Sequence, residues 1–406
     1  GLPIFILLAS LAIFFFLSEP TDWATNYDLI STISDSAYRI VVSPTLAAIP
    51  IFTLAGYILA ESNISDRLIK FFKSSLGWLP GSTVLIVVIL CAFFTALTGG
   101  SGVTILALGA ILYPILVHDG YSKRFSLGII TTAGSLGLLF PPSLPAIIYS
   151  VTAGINPLEL FRQALIPAIF LMSIMFFYGL YMLPKNKKIE KFNFKNAYNS
   201  AKIAKWEIAI PVLIILSLFS GFATLVESAA LLVLYVLTVE LYIFKDVSLK
   251  DLPKIIIDCS TLVGGVLIIL GFAMGFTGYL VDAQIPLKIL NFVQNTISSK
   301  IIFLLALNIL LLIIGCLMDV FSAIIVVVPL IAPLAAYFGI DPFHLAIIFI
   351  ANLELGYITP PVGMNLYLSS YRFNKDMPTI YSATLPFFFI RLIGVLIITY
   401  IPLFFY

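Results

Sequence analysis

Long apolar stretches follow one another along the chain, and most polar positions fall between them. A helix needs about 20 mainly apolar residues to cross the roughly 30 Å hydrocarbon core of a bilayer. The strands of a membrane barrel would instead be short and would alternate apolar with polar residues. The pattern therefore predicts membrane-spanning helices at 1–17, 38–60, 122–154, 159–183, 206–221, 223–244, 255–281, 341–371 and 379–405.

Two further apolar stretches, 80–117 and 301–338, are interrupted near their middles, the first at Thr98–Gly102 and the second around Asp319. Each predicts either two crossings or a re-entrant hairpin that enters and leaves on one side. Non-helical backbone at membrane depth is tolerated only where it is buried in protein or lines a cavity. Each tip is therefore either a tight interhelical contact or part of a site. Amphipathic sequences precede both hairpins and predict arm helices along the membrane interface, at 62–76 and 283–299.

The composition agrees with this pattern, since 61% of the 406 residues are hydrophobic and only 10% are charged. Soluble domains are about one-quarter charged. The net charge of +2 and the lack of a basic face indicate no nucleic-acid partner. The three cysteines lie in apolar runs, which argues against a disulfide framework and a metal site. We predict an all-α integral membrane protein, and we expect its natural N-terminus to lie upstream of Gly1.

Basic residues are distributed unevenly between the two sides of the predicted membrane. With both interrupted stretches taken as hairpins, 17 of the 22 Lys and Arg residues fall on one side. Seven of them lie in the segment 184–205. The positive-inside rule places this side in the cytoplasm. The segment could also bind anionic lipid, but a solvated loop explains it equally and accounts for the orientation.

Two parts of the chain carry the same structure-breaking residues 219 positions apart. Gly137 corresponds to Gly356, and the pair Pro141-Pro142 corresponds to Pro360-Pro361. The charge-based orientation makes the two copies inverted, and inverted repeats with interrupted helices indicate a secondary transporter. The predicted organisation is N-terminal spans (1–60), a first repeat (61–183), a Lys-rich cytoplasmic loop (184–205), central spans (206–281) and a second repeat (282–406).

The two Pro-Pro pairs predict breaks in membrane helices, because proline lacks an amide donor and clashes with the preceding turn. Carbonyl groups released at such a break need a new partner in an apolar medium. Neutral oxygens without a carboxylate suit a monovalent cation such as Na⁺. The helix that resumes after the prolines points its positive N-terminal end to the same place, where it stabilises a carboxylate. The alternative is a proline kink that only bends a packed helix.

Four ionisable residues fall at membrane depth in the predicted spans, and such residues are functional candidates by default. Asp319 lies at the second hairpin tip and Glu354 just before the second break, so both are candidates for holding the site or its proton. Arg391 either pairs with a substrate carboxylate or, since it lies outside both motif regions, pairs internally or snorkels. Glu227 completes the set.

Several segments match one family both in their residues and in the spacing between them. They are Ile49–Gly56, Thr98–Gly102, Gly134–Ser143 and Gly356–Leu366. With these the sequence resembles the large membrane subunit of TRAP (tripartite ATP-independent periplasmic) transporters. The resemblance implies an elevator-type carrier with two re-entrant hairpins, driven by a Na⁺ gradient in the bacterial inner membrane. It also implies a small four-helix membrane subunit and an extracytoplasmic binding protein that delivers an organic anion.

The resemblance further implies which residues form the site, with at least two Na⁺ ions and no organic cofactor. The first Na⁺ site would combine the first tip and first break, at Thr98, Gly99, Gly100, Ser101, Ser135 and Gly137. The second would use Asp319, Ser322, Gly356 and Thr359. The substrate would lie between them, at Ser101, Pro142, Ser143, Pro361, Gly363 and Asn365. The first tip is richer in glycine and poorer in serine than in many relatives.

Two other functions share part of this sequence pattern. A single-component Na⁺/dicarboxylate symporter shares the architecture, but its Ser-Asn-Thr tips are absent here. An intramembrane serine protease would use the motif Gly99–Gly102, and its serine would need a histidine within hydrogen-bond reach. The two histidines, His118 and His344, lie near helix ends on opposite sides. The sequence therefore predicts a transporter subunit and not an enzyme, with the particular organic anion left open.

Overall fold

The computed structural model describes residues 4–18, 31, 35, 38, 42–184, 192–297 and 299–404. Helices and short connections account for these residues, and no strand occurs among them. The predicted all-α membrane fold is confirmed.

The described residues of the first part of the chain form eight helices. Two of them precede the arm helix of the first hairpin. A 3-10 turn at Leu136–Leu139 separates the sixth helix from the seventh. The helices are α1 (Ile4–Ser18), α2 (Pro44–Glu61), α3 (Ile64–Leu76), α4 (Ser82–Thr98), α5 (Ser101–His118), α6 (Lys123–Ala133), α7 (Leu144–Ala153) and α8 (Pro157–Tyr181).

Three helices follow in the middle of the chain: α9 (Phe194–Ile203), α10 (Lys205–Phe219) and α11 (Leu225–Thr238), the last continuing into a π-helical turn at Val239–Ile243. Part of the Lys-rich segment was predicted as loop, and the structure corrects this prediction. The side chain of Asn193 accepts a hydrogen bond from the Asn196 amide, and this cap starts α9. Residues 185–191 of the segment lie outside the described residues.

The second part of the chain repeats the order of the first. It comprises α12 (Leu252–Asp282), α13 (Ile285–Thr296), α14 (Lys300–Leu317), α15 (Val320–Tyr337), α16 (Pro342–Gly356), α17 (Met364–Phe373) and α18 (Met377–Tyr400), with a final 3-10 turn at Ile401–Phe404.

The positions and packing of these helices reveal two copies of one unit. Helices α5 and α15 are both 18 residues long and begin 219 positions apart, as do α6 and α16. The packing is reciprocal as well, because α5 lies against α17 while its counterpart α15 lies against α7. Each hairpin therefore contacts the resumed half of the other copy's broken helix.

Within the described residues, eight helices are long and apolar enough to cross a membrane. The pair α6 and α7, bent by 43° at the first Pro-Pro pair, gives a ninth if it is counted as one span. The eight are Pro44–Glu61, Ser101–His118, Pro157–Tyr181, Leu225–Ile243, Leu252–Asp282, Lys300–Leu317, Val320–Tyr337 and Met377–Tyr400.

Glu227 lies in the first turn of the candidate span Leu225–Ile243. Its carboxylate accepts hydrogen bonds from the amide and hydroxyl of Thr224 at 2.7 and 2.9 Å, at the exposed start of α11. The Thr224 hydroxyl accepts the Glu227 amide in return, which completes a capping box. Glu227 therefore caps the start of its own helix.

The arm helix α3 is fastened to the middle helices by Arg67. Its guanidinium bonds to Glu207 of α10 and to Asp246 at 2.5 Å, and it lies 3.4 Å from Glu240 in the π-helical turn. The ring of Phe244 lies 3.8 Å from the guanidinium carbon, a cation–π contact. One side chain thus joins α3 to three other segments.

Candidate functional site

Two adjacent glycines form the tip of the first hairpin. Gly99 ends α4 with φ at +69°, a conformation that favours glycine, and Gly100 is extended. A Cβ atom at Gly99 would lie 2.7 Å from the Leu144 side chain, so the tip packs against the start of α7. A Cβ atom at Gly100 would meet nothing nearer than Val103 at 3.9 Å. The tight fit therefore resides at Gly99.

Thr95, one turn before this tip, ties the hairpin to the first break. Its hydroxyl donates to the carbonyl of Gly134 at 2.7 Å and lies 2.6 Å from the hydroxyl of Thr104 on α5. The Thr98 hydroxyl bonds within the hairpin, to the carbonyl of Phe94 at 2.8 Å. Thr95 was not among the predicted residues, because nothing local in the sequence marks it.

At the first break, both carbonyl groups that the proline pair releases have protein donors. In a continuous helix, Gly137 and Leu138 would accept from residues 141 and 142, which are prolines. Instead, Gly137 accepts the Phe140 amide at 3.0 Å and Leu138 accepts the hydroxyl of Ser143. The Ser143 hydroxyl also caps α7 by accepting the Ala146 amide. Ser143 thus holds the break together.

At the second break, the two released carbonyl groups at the equivalent positions also have protein donors. Gly356 accepts the Thr359 amide at 2.9 Å, and Tyr357 accepts the Asn365 amide at 3.1 Å. The expectation of carbonyl groups left without partners is therefore not met at these four positions. A carbonyl oxygen has two lone pairs, so each can still contribute one to a cation.

The second hairpin tip is closed by Asp319. Its carboxylate accepts the amides of Phe321 and Ser322, each at 3.0 Å, and the Ser322 hydroxyl at 2.5 Å. The Tyr357 hydroxyl accepts the Val320 amide at 2.6 Å, which joins the tip to the second break. Asp319 therefore acts as the cap of α15, and Ser322 is wholly buried beneath it.

A buried ion pair in the second copy is joined to the first copy by a hydrogen bond. Arg391 of α18 and Glu354 of α16 are both 0% exposed and bond to each other. A second nitrogen of the Arg391 guanidinium donates to the hydroxyl of Ser135, in the first break, at 3.3 Å. Of the two interpretations of Arg391, internal pairing is confirmed. The sequence did not reveal the contact with Ser135.

A second link joins the copies at Asn365. Its amide nitrogen donates to the carbonyl of Thr131 at 3.0 Å, and the Thr131 hydroxyl donates to that of Ser369 at 2.8 Å. The Asn365 Oδ1 atom and the Ser101 hydroxyl are buried and lack hydrogen-bond partners in the described part of the chain. Buried polar atoms of this kind are suited to a ligand.

The two breaks differ in their exposure. Ser135, Gly137 and Pro142 are buried, whereas Pro360 and Pro361 are exposed. An apolar cavity of about 460 Å³ lies beside the first break, between Pro141-Pro142, the arm helix and α10. Its lining is mostly apolar and includes Glu207, so it does not suit an anion.

The oxygen atoms available to a cation at the tips and breaks are mainly hydroxyl and carbonyl groups. No group of three His, Cys, Asp or Glu residues able to hold a metal ion occurs within the described residues. Thr359 donates its hydroxyl to the carbonyl of Leu355 at 2.8 Å, and the Gly363 amide donates to Cys316 at 3.1 Å. The bond between Gly363 and Cys316 thus holds the second break beside the end of the hairpin's first helix.

Comparison with known proteins identifies the family. The model of the DctM component of tripartite ATP-independent periplasmic transporters matches residues 1–404. The chain belongs to the DctM family. The C4-dicarboxylate TRAP transporter large permease protein DctM of Pseudomonas aeruginosa is 34% identical over 361 residues, covering 88% of this chain and 84% of that protein.

Two further proteins extend this comparison. The isethionate TRAP transporter permease protein DctMQ of Oleidesulfovibrio alaskensis is 30% identical, covering 92% of this chain and 59% of that protein. The crystal structure of the Alcanivorax borkumensis YdaH transporter superposes with a TM-score of 0.68 and covers 98% of this chain and 97% of that chain. At 13% identity it shows a shared fold alone.

The geometry around Ser101 of this DctM protein differs from that of a serine protease. Ser101 begins α5, whereas His118 lies at the opposite end of the same helix. His344 lies 3.0 Å from the carbonyl of Ile398. Neither described histidine bonds to Ser101, whose hydroxyl lacks a partner among the described residues. The relatives are named as permeases, in agreement with a role in transport.

Proposed function

We propose that this DctM protein carries an organic anion, a carboxylate, into the cell across the bacterial inner membrane, driven by a Na⁺ gradient. The observation that carries the proposal is the meeting of both breaks at one buried guanidinium, with Ser135 of the first copy and Glu354 of the second bonded to Arg391. Interrupted helices at corresponding positions of inverted repeats mark the binding site of a secondary transporter.

The anion site lies between the hairpin tips and the starts of α7 and α17. Helix N-termini carry partial positive charge and favour a carboxylate. Asn365 and Ser101 contribute buried polar groups there, and Pro142, Pro361 and Gly363 shape the backbone around them. The named substrates of the two relatives, C4-dicarboxylate and isethionate, are both organic anions, which supports this class of substrate.

The Na⁺ ions travel as co-substrates and bind at the two tip–break junctions. The first junction offers Thr98, Gly99, Gly100 and Ser101 of the tip, with Ser135 and Gly137 of the break. The second offers Asp319 and Ser322 with Gly356 and Thr359. Hydroxyl groups and the second lone pairs of carbonyl oxygens are ligands that Na⁺ accepts.

Transport proceeds by an elevator motion in which the hairpins and broken helices move together past the arm helices and middle spans. The reciprocal packing of α5 on α17 and of α15 on α7 supports movement as one body. A small four-helix membrane subunit completes the carrier, and an extracytoplasmic binding protein delivers the anion. The Lys-rich segment 184–205 faces the cytoplasm, as its charge predicts.

Reconstitution tests this proposal. The protein and its small subunit are placed in liposomes, and uptake of labelled dicarboxylates is measured with an inward Na⁺ gradient and the cognate binding protein outside. Uptake should require the gradient and the binding protein together, and neither ATP nor a pH gradient should replace them. Equal uptake of free anion without the binding protein would instead identify a single-component symporter.

The variant Asn365→Leu probes the anion site in the same assay, because it removes the buried amide while keeping the branched shape of the side chain. It should strongly reduce the rate of uptake. The control Asn295→Leu, at an exposed residue, should leave the rate unchanged. Normal transport by Asn365→Leu would place the anion elsewhere.

A further inference from the structure

Ser135 and Glu354 stand at the same position of the two copies, 219 residues apart. Each lies two residues before the glycine of its break, Gly137 or Gly356. Arg391 contacts both, through different nitrogens of one guanidinium. The residue equivalent to Arg391 in the first copy is Met172, so the bridge occurs once and not as a symmetric pair.

The bridge is fully buried. Arg391, Glu354 and Ser135 are all 0% exposed. Guanidinium is planar and presents its donors in a fixed fork, so displacement from one partner shifts its contact with the other. The two breaks are therefore connected mechanically through one side chain.

We infer that Arg391 is a positioning residue that makes cation binding at the two breaks cooperative. The inference rests on the proposed Na⁺ coupling. A cation that coordinates the Ser135 hydroxyl oxygen competes with the guanidinium for it, and a cation near Gly356 competes for the Glu354 carboxylate. Once the first cation has displaced Arg391, the guanidinium no longer competes with the second cation. Coupling of this kind raises the Hill coefficient above 1, up to the number of sites.

The two copies supply a matched variant for the test. Glu354→Ser with Arg391→Met gives the second copy the residues that the first copy already has, Ser135 and Met172. The change removes both buried charges together, which avoids leaving one unpaired. Arg391→Lys keeps the charge beside Glu354, but a single ammonium lacks the fork that holds two partners. The control is Arg162→Lys, at an exposed residue that pairs with Glu159.

The measurement is the equilibrium binding of radioactive sodium to the purified carrier as a function of Na⁺ concentration, with the Michaelis constant for anion uptake by proteoliposomes determined at saturating Na⁺. The wild type and Arg162→Lys should give sigmoidal Na⁺ curves. Arg391→Lys and the double variant should give curves with a Hill coefficient of about 1, while the Michaelis constant changes by less than about threefold. Thermal unfolding shows whether each variant is folded. If Arg391→Lys does not fold, the double variant provides the test.

The outcomes separate this inference from the proposed function. A wild type whose uptake requires Na⁺ but whose Na⁺ binding is hyperbolic would overturn the coupling, and so would variants whose Na⁺ binding remains as sigmoidal as that of the wild type. Wild-type uptake that ignores Na⁺ would overturn the proposed function, and the coupling with it.

Discussion

Gly356 packs directly against the backbone of Gly315, where a Cβ atom on Gly356 would lie 2.6 Å from the Gly315 Cα. The first copy makes the same contact, since a Cβ atom on Gly137 would lie 2.6 Å from the backbone nitrogen of Ala96. In both copies the start of the break is thus pressed against the last turn of the hairpin's first helix. This contact sets the distance between tip and break.

Gly356→Ala should therefore separate the second break from its hairpin. We expect a loss of about 1–3 kcal/mol of stability, as for overpacking in a tight core, and a larger loss of transport. Gly264→Ala is the control, because a Cβ atom there meets nothing within 4 Å. Thermal unfolding in detergent and uptake in liposomes measure the two effects. Equal behaviour of the two variants would show that the contact is not tight.

The adjacent glycines of the first tip give a second matched pair. Gly99→Ala should impair transport, because it places a Cβ atom against Leu144 and strains a positive φ angle. Gly100→Ala should be nearly neutral, since its backbone is extended and space surrounds it. Initial rates of uptake at saturating anion compare the two. If Gly100→Ala proved the more harmful, the tip would have a different conformation during transport.

Much of this arrangement was predictable from the sequence because its causes are local. The pairs Pro141-Pro142 and Pro360-Pro361 each remove two successive amide donors, so both breaks were predicted. The contact between Arg391 and Ser135 joins residues 256 positions apart and depends on how the helices pack. Nothing in the spacing of either residue indicates it.

The capping role of Glu227 was predictable, because Thr224 three residues earlier is the signal for a capping box. Another expectation was wrong. The released carbonyl groups were expected to lack partners, but the donors come from Ser143 and Asn365, beyond the breaks. Which side chain folds back onto a break is a matter of tertiary geometry.

Acid should weaken the attachment of the arm helix at Asp246, which lies outside the spanning segments. Burial alone would raise the pKa of Asp246, but hydrogen bonds from Arg67 and Asn63 outweigh it and hold the pKa below its usual 3.8. A carboxylate with a lowered pKa in the folded state stabilises the protein above its unfolded pKa. This contribution is lost as the pH falls through the folded pKa.

Asp246→Asn should therefore lower the unfolding temperature at neutral pH, and the difference from wild type should shrink as the pH falls below 3.8. Unfolding temperatures over a pH series give the result. In an Arg67→Met background the same substitution should have little effect at any pH, because its main partner is gone. A difference that persists unchanged in strong acid would mean that Asp246 acts through something other than its charge.

Cysteine labelling in intact cells tests the orientation of the two copies. Cysteines at the exposed positions Lys195 and Lys375 should react only after the membrane is made permeable, and one at Asn295 should react from outside. The three native cysteines are buried, which keeps the background low. Labelling of position 195 from outside would reverse the orientation and contradict a cytoplasmic Lys-rich segment.

The most direct test of the whole account is the movement of Na⁺ itself. Liposomes containing the protein and its small subunit receive radioactive sodium outside at a higher Na⁺ concentration than inside, and loaded binding protein is then added. Entry of the anion should draw in radioactive sodium, with more than one Na⁺ per anion. Where the Na⁺ ions outnumber the negative charges of the anion, an inside-negative potential should accelerate uptake, because it contributes up to about 2.3 kcal/mol per net charge per 100 mV. Anion uptake without any accompanying sodium would contradict the assignment of cation sites to the two breaks.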